Sequence, residues 1–362
     1  MTPPRPRIVI NLRSASRCED IHRAIDNHPM PTDHGEGGTP PRTEKDEEFW
    51  FDDGNIVVVA EDGTAFKLYK GVLSSVSSVF KDLFSLPQPP ESDAKTMDGC
   101  PVVPLYDSAA ELRHFFRLVA KPAFSLLRHD SRPSFRALAA ICRIGHKYQA
   151  AEAVEAASER IVLFFEKACS EGRLMNAGWE DFWARHQKNI GITVELADAI
   201  EAINLARLLD KPTILPFAFY LCCAAHPLHL RNGISREGGT LQKLSDDDYL
   251  KCVWATPQLL ARCVHDVRRL LAYYRNGHGR VSCQAAQRCQ EVFRQMDAEM
   301  EGEAHIGELL DLFVVVGCRK VQPQAYLNHH AQLCPPCLYE MAHCSGTRFF
   351  QDPSMLETFF SA

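Results

Sequence analysis

FWFDDGNIVVVAEDGTAFKLYKGVLSSVSSVFKDLF, residues 49–84, changes hydrophobic period three times in a fixed order. Ile56, Val57, Val58, Val59 and Ala60 form a short unbroken apolar run, the pattern of a strand buried on both faces. Glu61, Asp62 and Gly63 supply turn chemistry, with glycine free to take a positive φ. Phe66 and Leu68 then alternate with Lys67 and Tyr69, the period of a half-covered strand. From Val72 the apolar positions fall at 72, 73, 76, 79, 80, 83 and 84, which is helical spacing. Leu86-Pro87 stops that helix, because a residue preceding proline is pushed out of the α region. The stretch predicts a β-hairpin leading directly into an amphipathic helix.

Downstream, Val102-Val103-Pro104-Leu105 predicts a short edge strand, where proline is tolerated. Asp107 or Ser108 is placed to cap a helix carrying Leu112, Phe115, Phe116 and Val119, stopped by Lys121-Pro122. Ser134 precedes a second helix through Phe135, Leu138, Ile141, Cys142, Ile144 and Tyr148. A third carries Val154, Ala157, Ile161, Phe164 and Phe165.

This ordered series resembles the BTB (POZ) domain. The match runs through Asn55-Ile56-Val57-Val58-Val59, then Phe66 to Leu73, then Ser77 to Phe84. The wording Asp53-Gly54-Asn55-Ile56-Val57 with Ala60-Glu61-Asp62 is similar to the large BTB family of basidiomycete fungi. The resemblance implies an α+β fold: a short sheet with a helical cluster, followed here by an all-α extension. It further implies a non-enzymatic protein–protein interaction module, an adaptor or scaffold of the ubiquitin-ligase or transcription-regulator type. Two positions depart from the family, which has Asp and His where this chain has Asn55 and Tyr69. Their plainest reading is a polar pair beneath the hairpin, each satisfied by backbone groups.

Three segments follow: residues 1–46 as a disordered N-terminal segment, 47–168 as the BTB-like domain, and 169–362 as a helical region. Gly35 to Glu48 contains two prolines, three glycines and a charge run, so it is expected to be a linker. Many dimeric BTB proteins carry a helix there, so homodimerisation stays open but without that helix.

Beyond residue 168 the pattern is helical. Val194, Leu196, Ala199, Ile200, Ile203, Ala206 and Leu209 make one apolar stripe, and Ile214 to Ala225 reads as a buried helix. Ser245 is placed to cap a helix holding Tyr249, Leu250, Val253 and Trp254, and Pro257 to open another through Leu260, Val264, Val267, Leu271 and Tyr274. Val281 to Met300 is expected to be helical again.

Composition narrows the function classes. Of 362 residues 46% are apolar and 24% charged, enough for a globular core. A net charge of −6 argues against a general nucleic-acid footprint, and Arg268, Arg269, Arg275 and Arg280 read as a solvated helix face. No stretch has the form of a signal peptide or a membrane span, which predicts an intracellular protein of cytoplasm or nucleus with protein partners. Phosphate loops, GxGxxG, HExxH and GxSxG elbows are absent from the sequence, so no enzyme activity and no catalytic residue is assigned. The 14 cysteines lie scattered in helical patterns, which predicts reduced, buried thiols.

One cluster carries metal chemistry. Cys334-Pro335-Pro336-Cys337 is a CxxC, a spacing that brings two thiolates to one zinc ion from a tight turn. His343 or Cys344 would add a third ligand, and Cys283, Cys289 or the pair His329-His330 a fourth. The alternative function is therefore a metal-stabilised recognition protein with a C-terminal Cys/His zinc site. Partner contact is assigned by position to Phe84, Leu86, Leu126 and Leu127.

Overall fold

The computed structural model describes residues 43–86, 96–120, 132–171, 179–223, 225, 227–236, 239–276, 283–299, 332–337 and 360. The predicted hairpin is present: β2 (Ile56–Val59) pairs antiparallel with β3 (Thr64–Leu68), Ile56 opposite Leu68 and Val59 opposite Ala65. Gly63, at φ 87°, makes the turn, and Asp62 Oδ1 accepts from Thr64 N at 3.0 Å. The sheet has five strands in the order β1-β3-β2-β5-β4, with β1 at Glu44–Trp50, β4 at Thr96–Met97 and β5 at Cys100–Pro104.

Three expectations for the sheet change. First, Glu44–Trp50, expected as linker for most of its length, is a strand parallel to β3. Two of its charges, Asp46 and Glu48, are paired rather than solvated. Asp46 is buried, accepts from Phe49 N at 2.9 Å and takes Arg113 Nε at 2.6 Å, while Glu48 takes Arg117. Second, β3 lies between β1 and β2 and is covered on both faces, so Lys67 is buried. Its stem crosses the smaller apolar layer and its Nζ reaches Asp98 at 2.6 Å and the Asp52 carbonyl at 2.9 Å. That partner holds its pKa above the ordinary lysine value. Third, β5 is interior, parallel to β2 on one side and antiparallel to β4 on the other. The chain still keeps bonding past Pro104, with Leu105 N donating to Val59 O at 2.8 Å.

The single helix expected after the hairpin is two, α1 (Lys70–Val76) and α2 (Ser78–Ser85). Ser77 sits between them in extended conformation. Its Oγ accepts from Phe80 N, capping α2, and donates to Tyr148 O at 2.5 Å. A serine side chain that bonds two backbone groups competes with helix continuation, which apolar spacing alone does not reveal. α3 (Ala109–Ala120) is capped by Ser108, which accepts from Glu111 N. Asp107 instead is a buried carboxylate, taking Lys147 at 2.8 Å and the Tyr148 hydroxyl at 2.6 Å. α4 (Phe135–Lys147), capped by Ser134, and α5 (Ala151–Glu171) follow as expected.

The rest is helical: α6 (Trp179–Ile190), α7 (Asp198–Leu208), α8 (Leu215–Cys223), α9 (Pro227–Asn232), the short hairpin β6 (Ile234–Ser235) and β7 (Leu241–Gln242), α10 (Asp246–Arg275) and α11 (Ala286–Glu299). The run Leu215–Cys223 is the buried helix foreseen, with Phe217, Phe219 and Leu221 in the core. α10 continues through Pro257, where a new helix was expected. Proline supplies no N–H there, and Val253, four residues back, is exposed. Side chains also serve this turn, Thr256 Oγ1 donating to Cys252 O at 2.7 Å and Gln258 Nε2 to Trp254 O at 3.3 Å. At its C-terminal neighbour, α11 begins at Ala286 rather than 281.

Residues on both sides of position 168 share one hydrophobic core, from Phe49 and Phe116 through Phe164 and Phe165 to Phe217 and Leu259. Backbone bonds join Phe135 N to Thr193 O (2.7 Å) and Thr193 N to Pro133 O (2.9 Å). A largely buried quartet of charges reinforces this joint: Arg143 and Arg236 each pair with both Glu111 and Glu201. Two positive and two negative charges balance there, which offsets the cost of removing each from water. Among the described residues no helix is long and apolar enough to cross a membrane.

Candidate metal centre

Beyond that core, the end of α10 packs on α11, with Tyr274 stacked on Phe293 at 5.1 Å between ring centroids. Val292, Phe293 and Met296 on one face of α11 are buried, and Leu333 from the segment 332–337 is buried as well. The N-terminal end of α11 carries the polar chemistry. Cys283 precedes the helix, and Cys289 lies in its first turn with its N–H bonded to Ala285 O at 2.9 Å.

Cys334 and Cys337 come from residues 332–337. Pro335 and Pro336 have no N–H, so the first backbone donor after Cys334 is that of Cys337. The four sulfurs of Cys283, Cys289, Cys334 and Cys337 all lie within 4.8 Å of one another. Cys283 and Cys334 are 3.9 Å apart at sulfur, far outside the ~2.05 Å of a disulfide. A tetrahedral ion with metal–sulfur bonds of about 2.3 Å sets its ligand sulfurs about 3.8 Å apart. The observed spacing is compatible with such a ligand set.

The backbone favours negative charge here. Cys334 N donates to Cys289 Sγ at 3.4 Å. Burial pushes the Cys334 thiol up, but the backbone N–H groups of Cys337 and Gln284, together with hydrogen bonds from the Cys337 and Cys289 thiols, outweigh it and hold it at about 6. Burial, with neighbouring thiols, pushes Cys289 and Cys337 the other way. Four thiols at this spacing repel one another once ionised unless a cation sits among them. The donor set is all sulfur and closed, leaving no position for water or substrate, and its chemistry is that of a soft tetrahedral ion.

The CxxC residues singled out from the sequence therefore converge. The remaining two sulfurs are Cys283 and Cys289, which sequence reasoning named only among the choices for a fourth ligand. Their six-residue separation is not a conventional ligand spacing, and 44 positions lie between them and Cys334. His329, His330, His343 and Cys344 lie outside the described residues. So do Leu126 and Leu127. Of the other surface positions, Leu86 is 59% exposed, while Phe84 is partly buried and stacked on Phe80 at 5.8 Å.

Asn55 and Tyr69 do not bond to each other. Asn55 Oδ1 accepts from Lys70 N at 2.8 Å, satisfying a donor at the start of α1, and the Tyr69 hydroxyl donates to Asp53 at 2.5 Å. Neither forms part of a ligand site. Cys100, Cys142, Cys222, Cys223 and Cys252 are buried free thiols. No protein-family model matches the chain, and no curated protein matches it.

Proposed function

We propose that this chain is a non-enzymatic protein–protein interaction protein, a BTB-like module continued by a helical extension whose far end is closed by one structural zinc ion. The observation that carries the metal reading is the convergence of four sulfurs from two separate segments to within 4.8 Å. A four-thiolate set with no open position suits a structural ion and offers nothing to catalysis. It would tie 332–337 to the start of α11, a segment too short to hold itself by burial alone. The adaptor reading is supported by the order of hairpin, paired helices, strand β5 and three helices, together with the resemblance at residues 55–84.

Elemental analysis of the purified full chain tests the metal: one zinc per chain is expected, and none in the double variant Cys334→Ser/Cys337→Ser. Folded protein with no bound metal would overturn it. Co-elution of the full chain with a cullin N-terminal segment tests the ubiquitin-ligase branch of the adaptor reading, and failure to co-elute removes that branch.

A further inference from the structure

The four sulfurs at the start of α11 differ in their access to solvent. Cys283, which precedes the helix, is part-exposed, and its neighbour Gln284 is exposed. Cys289, Cys334 and Cys337 are buried, at 0, 1 and 3% exposure. Cys283 Sγ stands 3.9 Å from Cys334 Sγ, across a gap of 51 positions in the sequence. A sulfur open to solvent, with a second one in contact behind it, is the arrangement of a reactive thiol beside its resolving partner.

From this we infer that the four-sulfur site is a peroxide-sensitive switch, in which Cys283 is oxidised first and Cys334 closes a disulfide with it, expelling the metal. The inference rests on the zinc reading given above. Zinc has no redox chemistry of its own, so the electrons come from sulfur. The Cys283 thiolate attacks one oxygen of hydrogen peroxide, the O–O bond breaks and hydroxide leaves, giving a sulfenic acid. The Cys334 thiolate then attacks the Cys283 sulfur; the S–S bond forms, the S–O bond breaks and a second hydroxide leaves. Two sulfurs have lost two electrons, one peroxide has gained them, and the ion departs as Zn²⁺.

Cys289 and Cys337 remain as ligands, two short of a tetrahedral set. The new bond joins the same two segments that the metal joined. Oxidation therefore exchanges a metal link between residues 332–337 and the start of α11 for a covalent one, and a dithiol with added zinc reverses it. Cys142, Cys222, Cys223 and Cys252 are buried, which places them outside the switch and makes them an internal reference.

The test uses the full chain, loaded with zinc and freed of reductant, then treated with hydrogen peroxide. A chromophoric chelator reads the zinc set free, and peptide mapping without reduction reads the disulfides. One zinc per chain should be released as the Cys283–Cys334 disulfide appears, and dithiothreitol with added zinc should restore the starting metal content. Cys283→His keeps a fourth ligand but replaces the oxidisable sulfur, and should slow peroxide-driven release at least about tenfold. If that variant holds no zinc, the wild-type disulfide map still decides. A wild type that binds no zinc at the outset overturns the metal reading and the switch with it. A zinc-bearing wild type overturns the switch alone if peroxide frees no metal, if the first disulfide joins other cysteines, or if Cys283→His releases zinc equally fast.

Discussion

The thiols around α8 and α10 and those around α11 are the same chemical group put to opposite uses. Cys222, Cys223 and Cys252 are sealed among Phe217, Leu221 and Leu259, where a sulfur serves as a small apolar atom. Cys223 donates to Cys252 O at 3.7 Å, and interaction with the Cys252 side chain, together with burial, pushes its pKa far up. At α11 the sulfurs instead face one another and receive backbone N–H groups. Burial keeps the first group of thiols neutral, while the second group converges at a spacing that fits a cation.

The largest effect that separates the regions is expected from Phe217→Ala. It should cost about 3–5 kcal/mol in denaturant unfolding while leaving metal content unchanged. A chelator acts in the complementary way: it should lower stability by about 4 kcal/mol where free zinc had stood 1,000-fold above its dissociation constant, and leave the near-UV signal of the Phe164–Trp183 cluster intact. Loss of that signal on chelation would show that the regions are not independent. Cys252→Ala should cost only about 1 kcal/mol, with no change in zinc.

A further difference is a pH dependence that originates in the core. Burial pushes the Cys142 thiol up to about 12 from an ordinary value of 9.0. A raised thiol pKa means the unfolded chain loses its proton first. The stability contribution is therefore complete below pH 9 and declines as pH rises from 9 toward 12. Denaturant midpoints at pH 8 and pH 10.5 should fall further apart in the wild type than in Cys142→Ala. An equal shift in both would contradict this.

Legibility in the sequence follows the same division. Where burial decides, residue pattern suffices, as at Ile56–Val59, Phe135–Lys147 and Leu215–Cys223. It fails where polar groups are satisfied by distant partners. Glu44–Trp50 looks like a solvated charge run because Arg113 and Arg117, which pair with it, come more than sixty residues later. Lys67 looks exposed because Asp98 is elsewhere in the sequence. Leu250, Val253 and Trp254 are apolar positions of the expected helix, yet the opposite face with Cys252 and Leu259 is the one that packs. At the sulfur cluster the CxxC was visible because its two cysteines are local. Cys283 and Cys289 join it only through the placement of the start of α11 beside residues 332–337.

The most direct test is the native intact mass of the full chain, paired with mapping of the cysteines that alkylate before and after chelation. The account predicts one zinc per chain, with Cys283, Cys289, Cys334 and Cys337 protected until the chelator removes it. Cys142, Cys222, Cys223 and Cys252 should stay unmodified throughout. A metal-free folded chain whose four α11-end thiols alkylate freely from the start would contradict it.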